Sequence, residues 1–279
     1  MKEKRLNIGI TIALVTSLAM PVGSSYALDV DFNNYVSAVN NDYTKYFKEG
    51  GAQGKYTVSP TGGLTGGSLI PSEYASYGND LALFHQNISN TAGSSIQVGT
   101  SFLYDSSLVN PFAYNTALQF FLNPLSDLNH YILAGIRGAG SELQFVLSSY
   151  SKNSQNDPSH PTFALSSGHW YDLEVSVSNI GGSFGQLEVT GQLFDLGIDG
   201  LHIPTLIVTD SLNTYDAVFS REGQIRLGIY SERWGGAAAL DNFSVSPVPE
   251  PESYAMLLIG LGLISFVAQR RKDSLKDST

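Results

Sequence analysis

The stretch His169–Asn179, "HWYDLEVSVSN", alternates with a period of two. Tyr171, Leu173, Val175 and Val177 share one side, and Trp170, Asp172, Glu174, Ser176 and Ser178 share the other. Successive side chains of an extended strand point to opposite faces, so the first set belongs in a core and the second faces water. The next stretch, "FGQLEVTGQLFDLG" (Phe184–Gly197), follows after the turn residues "NIGGS" and reads as the hairpin partner. Similar strand-like runs cover Leu81–Phe84, Ile96–Tyr104, Ala117–Leu122, Tyr131–Arg137, Leu143–Ser149, Thr205–Val208, Gln224–Tyr230 and Asp241–Val245. Clusters of Gly, Asn, Asp, Ser and Pro separate them, and no convincing long helix alternates with them. This pattern predicts an all-β protein, a two-sheet antiparallel jelly-roll sandwich.

Upstream, Phe32, Tyr35, Val36 and Val39 recur at three- and four-residue spacing, followed by Tyr43, Tyr46 and Phe47. That spacing predicts one short amphipathic helix or two turns within 31–48, ended by Gly50-Gly51. "SPTGGLTGG" reads as turns at the head of a sheet; no Gly-Lys-Ser/Thr follows, so it is not a phosphate loop.

Composition agrees with this class. Charged residues make up only 14% of the 279 residues, and Gly contributes 28. Cysteine is absent, which excludes disulfides and thiolate metal sites. Between Leu28 and Ser253, 13 Asp and 9 Glu stand against 4 Lys and 4 Arg, a net charge of −14. Such a body repels nucleic acid and anionic membrane surfaces, so no nucleic-acid partner is expected.

Both ends carry processing signals. Lys2, Lys4 and Arg5 precede an apolar run from Ile8 to Met20, and Ser25-Tyr26-Ala27 offers a small-residue cut before Leu28. These are the parts of a cleaved secretory signal peptide. At the other end, the apolar run Tyr254–Ala268 is 15 residues long and is followed by Arg270, Arg271 and Lys272. It is short against the roughly 20 residues of a relaxed spanning helix. The cations stay on the cytoplasmic side, which leaves the body outside. Pro247, Pro249 and Pro251 keep the preceding strip extended and open to a protease. The expected segments are a signal peptide (1–27), a helical or turn lead-in (28–55), the sandwich (56–246), a sorting segment with a transmembrane helix (247–272) and a cytoplasmic tail (273–279).

"VPEP", the apolar segment and "RRK" together resemble a PEP-CTERM sorting signal, with Pro249, Glu250, Pro251, Arg270, Arg271 and Lys272 at the matching positions. The chain continues with "DSLKDST" where family members often stop. The resemblance implies a Gram-negative envelope protein. Its precursor is anchored in the inner membrane, then handled by an exosortase-type enzyme and passed to the cell surface or exterior. Such systems accompany exopolysaccharide and biofilm formation. A second resemblance rests on "SSGHWYDLEVSVSN", "QLEVTGQLFDLG" and "IRLGIYSERWGGAAALDNFSV". These are similar to the late strands of concanavalin A-like lectin/glucanase domains, LamG-type modules included. It implies a jelly roll of a kind that often binds glycans.

A retaining glucanase needs two close carboxylates. The glucanases of this fold carry Glu-x-Asp-x-Glu on one strand face, whereas this chain offers Asp172-Leu173-Glu174 with Ser176 next in line. The five histidines (His85, His130, His160, His169 and His202) show no metal spacing, and no Gly-x-Ser-x-Gly occurs. No catalytic residue and no cofactor are therefore expected. Trp234, in the glycine-flanked loop "SERWGGAAALD", and Trp170 are the candidate glycan-stacking residues. Asp241, opening the last strand, is the candidate ligand for a structural Ca2+. The expected function is non-enzymatic: an exported, sorted protein that engages extracellular polysaccharide. The alternatives are a glycoside hydrolase or lyase of the same fold, or a purely structural matrix protein.

Overall fold

A computed structural model describes residues 28–37, 40–49, 56–71, 81–84, 86–109, 116–127, 129–139, 142–149 and 161–248. The expected signal peptide and the expected terminal helix lie outside the described residues, as does the sorting segment beyond Val248. In chain order the strands begin with β1 (Leu28–Val30), β2 (Tyr35–Ser37), β3 (Asn40–Asn41), β4 (Phe47–Glu49), β5 (Thr57–Ser59) and β6 (Ser68–Ile70). They continue with β7 (Leu81–Phe84), β8 (Ile88–Ser89), β9 (Ser95–Tyr104), β10 (Thr116–Pro124), β11 (Ile132–Ala139) and β12 (Glu142–Ser149). The last six are β13 (Thr162–Phe163), β14 (Trp170–Gly181), β15 (Gln186–Gly197), β16 (Thr205–Tyr215), β17 (Gln224–Tyr230) and β18 (Ala237–Val248). The helices are α1 (Asp42–Tyr46) and α2 (Ala217–Arg221).

Two antiparallel sheets form the sandwich. The first runs β16-β15-β14-β9-β18-β6-β5, with β1 also on β18. The second runs β13-β12-β11-β10-β17-β7-β4, with β8 also on β17. The predicted alternation holds: Leu173, Val175 and Val177 are buried, while Asp172, Glu174, Ser176 and Ser178 are intermediate. Facing them from the second sheet are Leu118, Phe120, Leu122, Ile136, Phe145, Leu227 and Ile229, each fully enclosed. Gly191 of β15 makes room for one of these rings, because a Cβ there would lie 2.3 Å from the Phe145 ring.

The short helix expected within 31–48 forms at Asp42–Tyr46. Among the described residues the rest of the lead-in is not helical, and β1 and β4 on either side of α1 join opposite sheets. Phe47 is the reason: its ring meets Phe243 edge-on at 4.9 Å and lies 5.8 Å from Phe84. Phe32 and Tyr43 stack against the same ring. Burying these aromatics in the mouth of the sandwich outweighs a weak local preference for helix. The strand expected at Phe184 starts two residues later. The Gly182 and Gly185 backbones are left-handed (φ 80° and 67°), and Gly185 N–H bonds Gly182 O at 3.3 Å, so Phe184 sits in the turn.

Candidate functional site

The acidic strand face lies on the outside of the first sheet. Ser101 Oγ donates to Asp172 Oδ1 at 3.4 Å, and Gln97 Nε2 donates to Glu174 Oε2 at 3.2 Å. Burial, reinforced by the neighbouring Glu174 charge and only partly offset by Ser101, pushes the Asp172 carboxyl up to about 6. No third carboxylate extends the row, since Ser176 pairs with Gln97 and Thr190.

Trp170 stands on the same face but offers no open ring. It is 5% exposed, packed in a small outer cluster with Leu196, Ala239, Leu64 and Leu103. The structure therefore corrects its candidacy as a stacking residue: its ring is covered by apolar residues of the neighbouring strands and by Leu64 of the glycine-rich loop.

Asp241 is also spoken for. Its Oδ1 accepts from Asn242 N–H at 2.8 Å and its Oδ2 from Thr65 N–H at 3.3 Å. The glycine-rich loop wraps this carboxylate, and a Cβ on Gly63 would lie 2.6 Å from Oδ2. Burial raises its proton affinity, against these backbone hydrogen bonds. Ca2+ wants six to eight oxygen ligands. Both Asp241 oxygens already serve backbone donors, and among the described residues no three His, Asp or Glu converge. A Ca2+ at Asp241 would have to take its other ligands from backbone carbonyls and water. Two histidines likewise serve structure: His130 Nδ1 lies 2.9 Å from Asp216, the cap of α2, and His169 Nδ1 lies 3.1 Å from Asp195.

The outside of the second sheet holds a richer constellation. Register places Gln144 beside Arg137, and Gln119 between Gly135 and Tyr230. In the next rows Ser148 lies beside Leu133, Phe121 lies between Leu133 and Gly228, and Asn123 lies beside Arg226. These side chains point away from the apolar core, yet Gln119, Asn123, Ser148 and Tyr230 are buried. Tyr230 Oη donates to Glu232, and Asn123 Nδ2 donates to the His130 carbonyl at 3.1 Å. Gln119 Oε1 and Ser148 Oγ are buried with no hydrogen-bond partner. A buried polar atom left unpaired costs about 1–3 kcal/mol, so such atoms call for a ligand or water. Beside them Phe121 and Tyr131 are half-exposed and stack at 5.6 Å with an 18° tilt.

Trp234 belongs to the end of this face by its backbone; its side chain lies outside the described residues. Its 3-10 turn, Arg233–Gly235, follows β17, and Glu232 N–H bonds Thr116 O of β10 at 3.0 Å. Gly235 is required there, because a Cβ would come within 2.3 Å of the Thr116 carbonyl. Sequence reading passed over Gln119, Arg137 and Gln144. The signal available was a polar residue within or at the end of a mainly apolar run: Gln119 in Ala117–Leu122, Arg137 closing Tyr131–Arg137, and Gln144 in Leu143–Ser149.

Comparison with known proteins adds the tail. Residues 247–272 match the PEP-CTERM protein-sorting motif. That motif implies export and handling by an exosortase-type enzyme. No curated protein matches the chain by sequence. Among solved structures, the chain is similar to the PL-14 alginate lyase from Aplysia kurodai, with TM-score 0.49 and 11% identity, over 78% of this chain and 97% of that one. It is also similar to a lectin from Bauhinia forficata in complex with GalNAc, with TM-score 0.44 and 11% identity, over 81% of this chain and all of the other. The T. cruzi calreticulin globular domain follows with TM-score 0.40 and 11% identity, over 90% and 99% of the two chains.

Proposed function

We propose that this is an exported, exosortase-sorted surface protein whose sandwich binds polysaccharide, without cleaving it, on the outer face of the second sheet. The observation that carries the reading is the partly exposed Phe121–Tyr131 stack, with Gln119 and Tyr230 in the neighbouring register row. Aromatic faces suit the apolar face of a pyranose, and amides and guanidinium groups suit its hydroxyls. Strands lie about 4.8 Å apart, close to the length of one sugar residue. A glycan on this face would meet polar side chains in separate register rows, Arg137 with Gln144 in one and Gln119 with Tyr230 in the next. The biofilm matrix of a Gram-negative envelope is the setting the tail suggests.

Phe121→Ala in the mature chain is expected to weaken binding to the glycan chosen on an array by about 1–3 kcal/mol, measured by calorimetry. Trp234→Ala should weaken it as well, because its turn closes the end of that face; Trp170→Ala should not. Undiminished affinity in Phe121→Ala would remove this face from the site. One observation favours a glycoside hydrolase: a carboxyl raised to about 6 beside a second carboxylate is what a proton donor requires. Release of reducing ends by the wild type, abolished in Glu174→Gln, would establish that reading. No binding to any glycan would leave a structural matrix protein.

The sorting part has its own test. Mass spectrometry of the native surface form should find a chain starting at Leu28 with no peptide beyond Tyr254. Recovery of Arg270–Lys272 from the mature pool would contradict it.

A further inference from the structure

Both termini of the described body leave the sandwich at one end. Val248 of β18 pairs with Ser95, and Ser95 pairs with Ser178 near the end of β14. Leu28 pairs with Val245, so the chain enters where it exits. At this end the β14–β15 turn projects Ile180 (49% exposed) and Phe184 (76%). Beside it the end of β16 projects Tyr215 (57%), because Tyr215 pairs with Gln186, and Val218 opens α2. Arg221 is exposed there too, its Nη2 donating to Ser183 O at 3.2 Å.

Only residues 249–253 separate Val248 from the apolar run that begins at Tyr254. Five residues span at most about 18 Å when fully extended. While the tail is embedded, the Val248 end cannot stand farther than that from the hydrocarbon. The β14–β15 turn and the end of β16 lie between two and four strands from β18, about 10–19 Å along the sheet edge. They are therefore within reach of the bilayer surface.

We propose that this end is a membrane-facing tip, and that Ile180, Phe184, Tyr215 and Val218 rest in the lipid interface of the anchored precursor. The inference rests on reading the tail as a membrane segment. Aromatic and aliphatic side chains on a turn partition into the headgroup boundary, and an arginine beside them can pair with lipid phosphate. The acidic body gains nothing from anionic lipid, so the contact is apolar and zwitterionic lipid suffices. Docked this way, the body holds Pro249-Glu250-Pro251 at the surface, where a membrane-bound processing enzyme meets it.

The chain has no cysteine, so single labels are clean. Phe184→Cys, Ile203→Cys and Gly262→Cys are made in the full precursor and labelled with a polarity-sensitive fluorophore. The precursors are then reconstituted into phosphatidylcholine vesicles carrying a lipid-borne quencher. Ile203 is more exposed (89%) and equally apolar, but it follows β15 at the opposite end. The expected result is strong quenching at 262 and 184, with quenching at 203 several-fold weaker. Quenching at 262 with 184 as dry as 203 overturns the tip and leaves the anchor standing. Equal quenching at 184 and 203 also overturns it, as unspecific adhesion. A dry label at 262 overturns the anchored reading and the tip with it.

Discussion

Phe145→Ala is expected to destabilise the protein by about 3–5 kcal/mol. Phe145 is fully buried on β12, and its ring reaches across the sandwich to the backbone of Gly191 on β15. Removing it leaves a cavity bounded by two sheets. Neither sheet can collapse into it without shifting its hydrogen-bonded neighbours. The reciprocal change is also costly. A Cβ on Gly191 would lie 2.3 and 2.4 Å from two atoms of that ring. Gly191→Ala therefore overpacks the core, by about 1–3 kcal/mol. Because the two sites touch, Gly191→Ala with Phe145→Leu should cost less than the two single changes added together. Urea denaturation of the four variants reads this directly. A loss under about 1 kcal/mol for Phe145→Ala would mean that the sheets do not pack as described.

Asp172→Asn should stabilise the protein, and only above the acid range. The folded carboxyl is raised to about 6, first by burial and then by Glu174. In the unfolded chain it titrates near its ordinary value of about 3.9. Below both values the group is neutral in either state and costs nothing. As pH rises between them, the unfolded chain ionises first and folding stability falls. Above about 6 the full penalty remains, on the order of 2–3 kcal/mol. Asparagine cannot ionise and keeps an acceptor for the Ser101 hydroxyl. The variant should match wild type near pH 3.5 and exceed it at pH 8, read as urea midpoints at both. A difference that does not change with pH would show that the carboxyl is not shielded.

The sequence made the sheets legible because most strands bury only one face. Tyr171, Leu173, Val175 and Val177 mark β14 unmistakably, and all ten expected runs are strands in the structure. Two departures have physical causes. β16 was expected to end at Val208, but it continues to Tyr215. Asp210, Ser211 and Asn213 break the apolar pattern there, and the continuous ladder to β15 sustains the strand instead. The lead-in mimicked a helix because Phe32, Tyr43 and Phe47 suit either a helical stripe or an aromatic plug, and only the tertiary contacts with Phe84 and Phe243 decide. The candidate site was harder to read. β10, β11 and β12 carry apolar residues on both faces, Phe121, Leu133 and Val146 among those pointing outward, so the polar residues among them look incidental. Nothing local says that Gln119, Arg137 and Gln144 stand on one face of neighbouring strands. That juxtaposition belongs to the register.

The most direct test of polysaccharide binding on the second sheet is amide hydrogen exchange of the mature chain with and without the selected glycan. Binding as proposed predicts added protection in β10, β11, β17 and the turn at Trp234, with β14, β15 and β16 unchanged. Protection confined to the Asp172–Glu174 strand and its neighbours, or no protection anywhere at saturating glycan, would contradict it.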